Sequence, residues 1–201
     1  FGPSKNLIWR LELPPGHSSP ILHGDRLYLT AFRGDELVTL AIDRLKGRIL
    51  WERAAPPVKT RVIDKRNNAA SPSPAVEENG VYVFFPDYGL VAYDAAGKEL
   101  WSMPLGPFNN IYGMGASPIV VGDLLVLACD QSLGSYVMAV DKHTGKVRWK
   151  VDRPEAKSGH STPILWKGPD GKDQILLPGS FFLTAYDAGT GRKRWWVGGL
   201  S

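Results

Sequence analysis

Short apolar runs separated by polar, glycine-bearing turns recur along the whole chain, and helix signals are nearly absent. Runs such as "RLYLTAF" (26–32), "VYVFF" (81–85) and "LLVLAC" (124–129) are of strand length and rich in β-branched and aromatic residues. Gly-Asp or Asn-Gly pairs bound them, as expected of β-hairpins. The same order of features returns four times. Each unit opens on a Ser/Thr-Pro pair, at Pro20, Pro74, Pro118 and Pro163, spaced 54, 44 and 45 residues apart. Each closes on a hairpin ending in Trp: "AIDRLKGRILW" (41–51), "AYDAAGKELW" (92–101), "AVDKHTGKVRW" (139–149) and "AYDAGTGRKRW" (185–195). Four strands, A to D, fit each period, and a period of this length points to β-propeller blades. A sandwich does not require its strands to recur in one order with one turn chemistry.

The closing hairpin has a physical reading. Asp43, Asp94, Asp141 and Asp187 can accept backbone N–H bonds across the turn, and Gly47, Gly97, Gly145 and Gly191 supply a positive φ without steric cost. Four residues after each glycine stand Trp51, Trp101, Trp149 and Trp195, on the outermost strand. There a large ring fills the gap between one blade and the next. These twelve residues are expected to be structural.

The signature A-x-D-x-x-T-G-x-x-x-W, complete in 139–149 and 185–195, resembles the pyrroloquinoline-quinone (PQQ)-type repeat. That repeat belongs to quinoprotein alcohol dehydrogenases and to the BamB-like propeller lipoproteins of outer-membrane barrel assembly. Lys46 replaces the Thr in the first copy, and the second copy is one residue shorter without it. The resemblance implies an all-β propeller of seven or eight four-stranded antiparallel blades, of which this chain carries about half. The blades are expected at 18–53, 72–103, 116–151 and 161–198. In addition "NLIWRLEL" (6–13), with Trp9, reads as an orphan outer strand lacking its own A, B and C. Open edges then imply either a homodimer that completes the ring or the remainder of a longer chain. Family likeness alone implies an extracytoplasmic, periplasmic or secreted location.

Composition narrows the function classes. The 201 residues carry a formal charge of +4, with no dense Lys/Arg run interleaved with stacking aromatics, so nucleic acid is not an expected partner. No apolar run approaches the roughly 20 residues of a membrane helix. The given chain starts without a basic, apolar leader pattern. Its single cysteine, Cys129, cannot form an internal disulfide and leaves the redox compartment open.

Because strands alternate direction, the D-to-A and B-to-C loops gather on one face. The candidates for a ligand- or partner-binding channel mouth lie there: His17, Ser18, Asn67, Asn68, Asn109, Asn110, Asp130, Gln131 and His160. His17 and His160 precede the innermost strands of blades one and four in the matching stretches "GHSSP" and "GHSTP". They read as channel-mouth hydrogen-bonding groups or as caps of strand ends, and the amides suit a polar pocket or simple turns. The loop 52–71 sets Arg53, Lys59, Arg61, Lys65 and Arg66 against Glu52 and Asp64, which suits an acidic partner or a solvated insertion. A quinoprotein dehydrogenase would, by the resemblance, need PQQ, Ca²⁺ with carboxylate and amide ligands, and an Asp base. Alcohol-oxidising members also have adjacent cysteines, which one cysteine precludes. Asp35, Asp87 and Asp130 form no recognisable cluster in sequence, and no nucleophile elbow occurs. The preferred reading is a non-catalytic scaffold, without catalytic residues, resident metal or cofactor, that binds a protein partner or small ligand. The alternative is a fragment of a PQQ- and calcium-dependent dehydrogenase of alcohols or sugars.

Overall fold

The computed structural model describes residues 5–59 and 61–199, and among them every regular element is a strand. Sixteen strands form four separate antiparallel sheets of four, each laid down in chain order. The first blade is β1 (Ile21–His23), β2 (Arg26–Arg33), β3 (Glu36–Asp43) and β4 (Arg48–Ala54). The second is β5 (Ala75–Glu77), β6 (Gly80–Phe85), β7 (Gly89–Tyr93) and β8 (Glu99–Pro104). The third is β9 (Ile119–Val121), β10 (Leu124–Cys129), β11 (Tyr136–Asp141) and β12 (Val147–Asp152). The fourth is β13 (Ile164–Lys167), β14 (Asp173–Pro178), β15 (Phe182–Asp187) and β16 (Lys193–Gly198). This is a four-bladed part of a β-propeller, as the repeat predicts.

The core lies between neighbouring sheets, which explains why the middle strands are apolar on both faces rather than alternating. Every residue of β6 and β7 is buried. Tyr82, Phe84 and Leu90 of blade two pack on Leu125, Leu127 and Met138 of blade three, and Trp149 of blade three joins Ile175 and Tyr186 of blade four.

The closing hairpin has the same geometry in every blade. Strands C and D shift register directly after Ala41, Ala92, Ala139 and Ala185, each of which faces the blade's Trp across the ladder. One extra residue on strand D, such as Leu50 between Ile49 and Trp51, makes the bulge that re-aims the indole. The four alanines are fully buried, so their small side chains leave room for the ring opposite. Within the turns, Asp43 Oδ1 accepts from the N–H groups of Leu45 and Lys46, and Asp187 Oδ1 from both the N–H and hydroxyl of Thr190. Such bonds hold the carboxyls of Asp43 (chiefly the Lys46 N–H), Asp141 (chiefly the Thr144 hydroxyl) and Asp187 (chiefly the Thr190 hydroxyl) below the usual carboxylate range. The degenerate second turn still works, because Asp94 Oδ1 accepts from Ala96 and Lys98 N–H at 2.8 Å.

Trp51, Trp101 and Trp149 each dock on the turn of the following blade. The indole N–H donates to Ala95 O from Trp51 (3.0 Å), to Lys142 O from Trp101 (2.8 Å) and to Ala188 O from Trp149 (3.0 Å). The ring lies flat on that turn's glycine: a Cβ at Gly97, Gly145 or Gly191 would come within 2.7, 2.7 and 2.6 Å of it. These glycines therefore serve twice, through φ values of 82°, 70° and 72° and through the space they vacate.

A second series runs along the inner rim and explains the Ser/Thr-Pro pairs. The N–H of Ser19 donates to Ser73 Oγ (2.8 Å), that of Ser73 to Ser117 Oγ (2.9 Å) and that of Ser117 to Thr162 Oγ1 (3.0 Å). Each blade's first hydroxyl thus anchors the blade before it. Ser117→Ala should cost about 1 kcal/mol, the usual net value of one such bond, and urea unfolding reads it.

One expectation is corrected. Residues 6–13 form no strand, so the described residues hold sixteen strands rather than seventeen. A strand needs a ladder partner, and no blade among the described residues offers this segment one. Trp9 nevertheless behaves as the Trp of a preceding blade. Its indole N–H donates to Arg44 O at 2.7 Å, and its ring occupies the space that a Cβ at Gly47 would need. At the other end Trp195 donates to Gln174 of its own blade, and Trp196 and Val197 beside it are exposed.

Candidate binding face

The loops between blades and the B-to-C hairpins meet on one face, held together by bonds between them. At its first corner the N–H groups of His17 and Ser18 both donate to Ala70 O, and Ser18 Oγ bonds the N–H and C=O of Thr30. His17 itself is exposed. Asn67 donates from Nδ2 to Tyr112 O (2.6 Å), while its Oδ1 accepts from the Asn68 N–H (2.8 Å) and the Ser71 hydroxyl. Asn68 Oδ1 accepts the Ala70 N–H. Asn67 thus splices the loop before blade two onto the loop before blade three, while Asn68 shapes its own loop.

Further round, Gln131 Oε1 accepts the Asn109 N–H (2.6 Å) and its Nε2 donates to Gly134 O (3.0 Å). Buried Asn110 accepts from the Tyr112 N–H and the Ser158 hydroxyl, both at 3.0 Å, and its Nδ2 has no hydrogen-bond partner. Ser158 carries a positive φ of 54°. His160 is exposed, its ring against Gly115 of the preceding blade. No group of three or more His, Cys, Asp or Glu side chains placed to hold a metal occurs among the described residues.

Asp130 is buried and pairs with Arg153, through Nε to Oδ1 at 2.8 Å and Nη2 to Oδ2 at 3.1 Å. Arg153 is 0% exposed and reaches blade four through the Tyr186 hydroxyl at 2.6 Å. Burial pushes the Asp130 carboxyl above the usual range against the pull of Arg153. For Arg153, burial opposes the charge, but the bonds and field of Asp130 prevail and raise its pKa. Sequence reasoning passed over Arg153, because an Arg in a loop ordinarily reads as solvated.

Much of the basic loop is also committed to structure. Arg53 Nε donates to Gly97 O (2.6 Å), and Arg61 pairs with nearly buried Asp87 and bonds Phe108 O. Arg66 binds Asp64, whose carboxyl its side-chain hydrogen bond pulls down to about 2. Lys59 and Lys65 are exposed. Asp35 lies exposed in the β2–β3 hairpin beside Glu36.

Comparison with known proteins places this architecture. The profile of the family described as outer membrane protein assembly factor BamB matches residues 2–132 and 112–197. A quinohemoprotein alcohol dehydrogenase, ADH-IIG of Pseudomonas putida, is 28% identical over 94% of this chain, which spans 26% of that enzyme. The serine/threonine-protein kinase AfsK of Streptomyces griseus is 31% identical over 63% of this chain and 15% of its own length. Among solved structures, BamB of Moraxella catarrhalis superposes with a TM-score of 0.63 at 15% identity, covering 90% of this chain and 47% of that one. The chain therefore spans about a quarter of the dehydrogenase and under half of that BamB chain. With its repeats, its four stacked blades and a profile match along nearly its whole length, the chain belongs to the BamB family of PQQ-like repeat propellers.

Proposed function

We propose that this chain supplies four blades of an extracytoplasmic propeller that acts as a non-catalytic scaffold, binding a protein partner or small ligand through its loop-rich face. One observation carries the reading: most of the polar groups gathered on that face are spent on fixing the loops. Asp87 and Asp130 are held by arginines, and Asn67, Asn68 and Gln131 bond loop backbone. A rigid, loop-presenting surface suits recognition.

Kinship to the Pseudomonas putida dehydrogenase keeps the alternative in view. These blades do not fit a calcium-quinone site, because Asp87 and Asp130 each face an arginine and no group of three or more His, Cys, Asp or Glu placed to hold a metal occurs among the described residues. The Trp series suggests how the ring is completed. A second copy could dock its Trp195 on the Gly47 turn only by displacing Trp9, which favours further blades over a homodimer. Light scattering followed by titration with PQQ and Ca²⁺, read by dye-linked alcohol oxidation, tests both points. A monomer without quinone uptake is expected. Calcium-dependent quinone binding with dye reduction would replace the scaffold reading by the dehydrogenase one.

A further inference from the structure

We infer that the loop-rich face carries a docking stripe for a polypeptide segment bearing both acidic and apolar side chains, an inference that rests on the scaffold reading above. Three aliphatic residues stand out from it: Val62 is 102% exposed, Ile111 68% and Leu133 80%. They occupy the loop before blade two, the loop before blade three and the β10–β11 hairpin. Isolated exposed apolar residues are ordinary on a protein surface. A series of them on tethered loops is not, because loop tips normally carry Gly, Asn, Asp or Ser.

The tethers join neighbouring members of the series. The Asp64 N–H donates to Ile111 O (2.9 Å), and Asn67 Nδ2 donates to Tyr112 O. The Ser132 N–H donates to Asn109 O (2.8 Å). The three side chains therefore stand on one cross-linked platform spanning blades one to three, with little ordering entropy left to lose on binding. Beside Leu133 opens a cleft of about 420 Å³ walled by Asp152, Pro154, Ala156 and Lys157, with room for partner side chains.

Charge decides the class of partner. Lys59 and Lys65 flank Val62 in sequence, and Lys157 stands at the cleft; all three are exposed, and none forms an ion pair among the described residues. Arg66 lies over the Tyr112 ring at 5.0 Å while bound to Asp64. Carboxylates placed between apolar side chains satisfy both features. An anionic membrane would also meet the lysines, but its plane would press Asp64 and Asp152 of the same face against like charge. A peptide chain can avoid them one by one.

Fluorescence anisotropy with three synthetic peptides tests the inference: one alternating Leu/Phe with Glu/Asp, one with Lys at every acidic position, and one with Ser at every apolar position. The acidic-apolar peptide should bind at least about tenfold tighter than either counterpart, and added salt should weaken it. The V62S/I111S/L133S and K59E/K65E/K157E variants should each lose about tenfold, with thermal midpoints unchanged because all six side chains are exposed. Equal affinity for the acidic and basic peptides overturns the charge argument. Should the basic peptide alone bind, in a manner the serine variant abolishes, the acidic class falls and the scaffold reading stands. If no peptide's binding responds to either variant, both fall. Binding to phosphatidylglycerol vesicles that these variants abolish, without peptide binding, replaces a polypeptide by a lipid surface.

Discussion

Replacing Trp149 with alanine should destabilise the chain by about 3–5 kcal/mol, the range for deleting a large buried aromatic, and lower the thermal midpoint on the order of 10 °C. The indole is nearly buried between blades three and four, donates to Ala188 O and lies on Gly191. Its removal opens a cavity that neither rigid sheet can close. Trp195→Ala supplies the control. That ring stacks edge-on against Trp166 and bonds Gln174 of its own blade, and it docks on no following turn among the described residues. Its loss should cost clearly less. Gly191→Ala should destabilise as well, since the new Cβ would sit 2.6 Å from the Trp149 ring at a φ of 72°. In the double variant the contact with the ring is gone, leaving the backbone cost and the tight approach to Val151 Cγ2 at 3.0 Å, so the two effects should not add. Circular dichroism melts of the four proteins decide it. Equal losses for Trp149→Ala and Trp195→Ala would remove the distinction between docked and undocked rings.

The parts of this fold that were legible in the sequence are those written locally. An Asp that accepts nearby N–H groups, a glycine at positive φ and a Trp four residues later all act within one hairpin, so the Gly-to-Trp interval survives even in the shortened turn at Asp94, whose carboxyl accepts from Ala96 and Lys98 instead. What the turn glycine does for the neighbouring blade could not be read, because the contact of Trp51 with Gly97 joins residues far apart in the chain. The segment at Trp9 shows the same divide. Its docking is inherited from the motif, whereas its strand character depends on a partner elsewhere. On the loop face, residue types pointed to polarity but not to its use. Asn67 and Gln131 were visible as amides, yet only the fold reveals that they bond Tyr112 O and the Asn109 N–H. Val62, Ile111 and Leu133 carried no signal, since an apolar residue in a loop gains meaning only from its exposure and neighbours.

Arg153→Ala should cost a further large amount, about 3–5 kcal/mol near neutral pH, because it strands a buried carboxylate. The guanidinium binds both oxygens of Asp130 and then crosses to Tyr186 OH and Pro178 O, joining blades three and four from beneath the loop face. The backbone is cleared for it: a Cβ at Gly159 would lie 2.8 Å from Asp130 Oδ2, and one at Gly179 would lie 3.1 Å from Arg153 Nη2. Removing both charges at once, as Asp130→Leu with Arg153→Met, should cost much less than the single change, since neither desolvated ion remains. The pH dependence has a definite sign. Burial already pushes the Asp130 carboxyl upward, and without Arg153 nothing opposes it. In Arg153→Ala the folded state therefore holds that proton to a higher pH than the unfolded state, whose carboxyl titrates near about 4. The stability so contributed is present at low pH and lost as pH rises through the folded value. The deficit relative to the parent protein should accordingly be smaller at about pH 5 than at about pH 8, as urea unfolding at the two values would measure. A deficit that is small and identical at both would mean that water reaches Asp130 and that the pair does not lock the two blades.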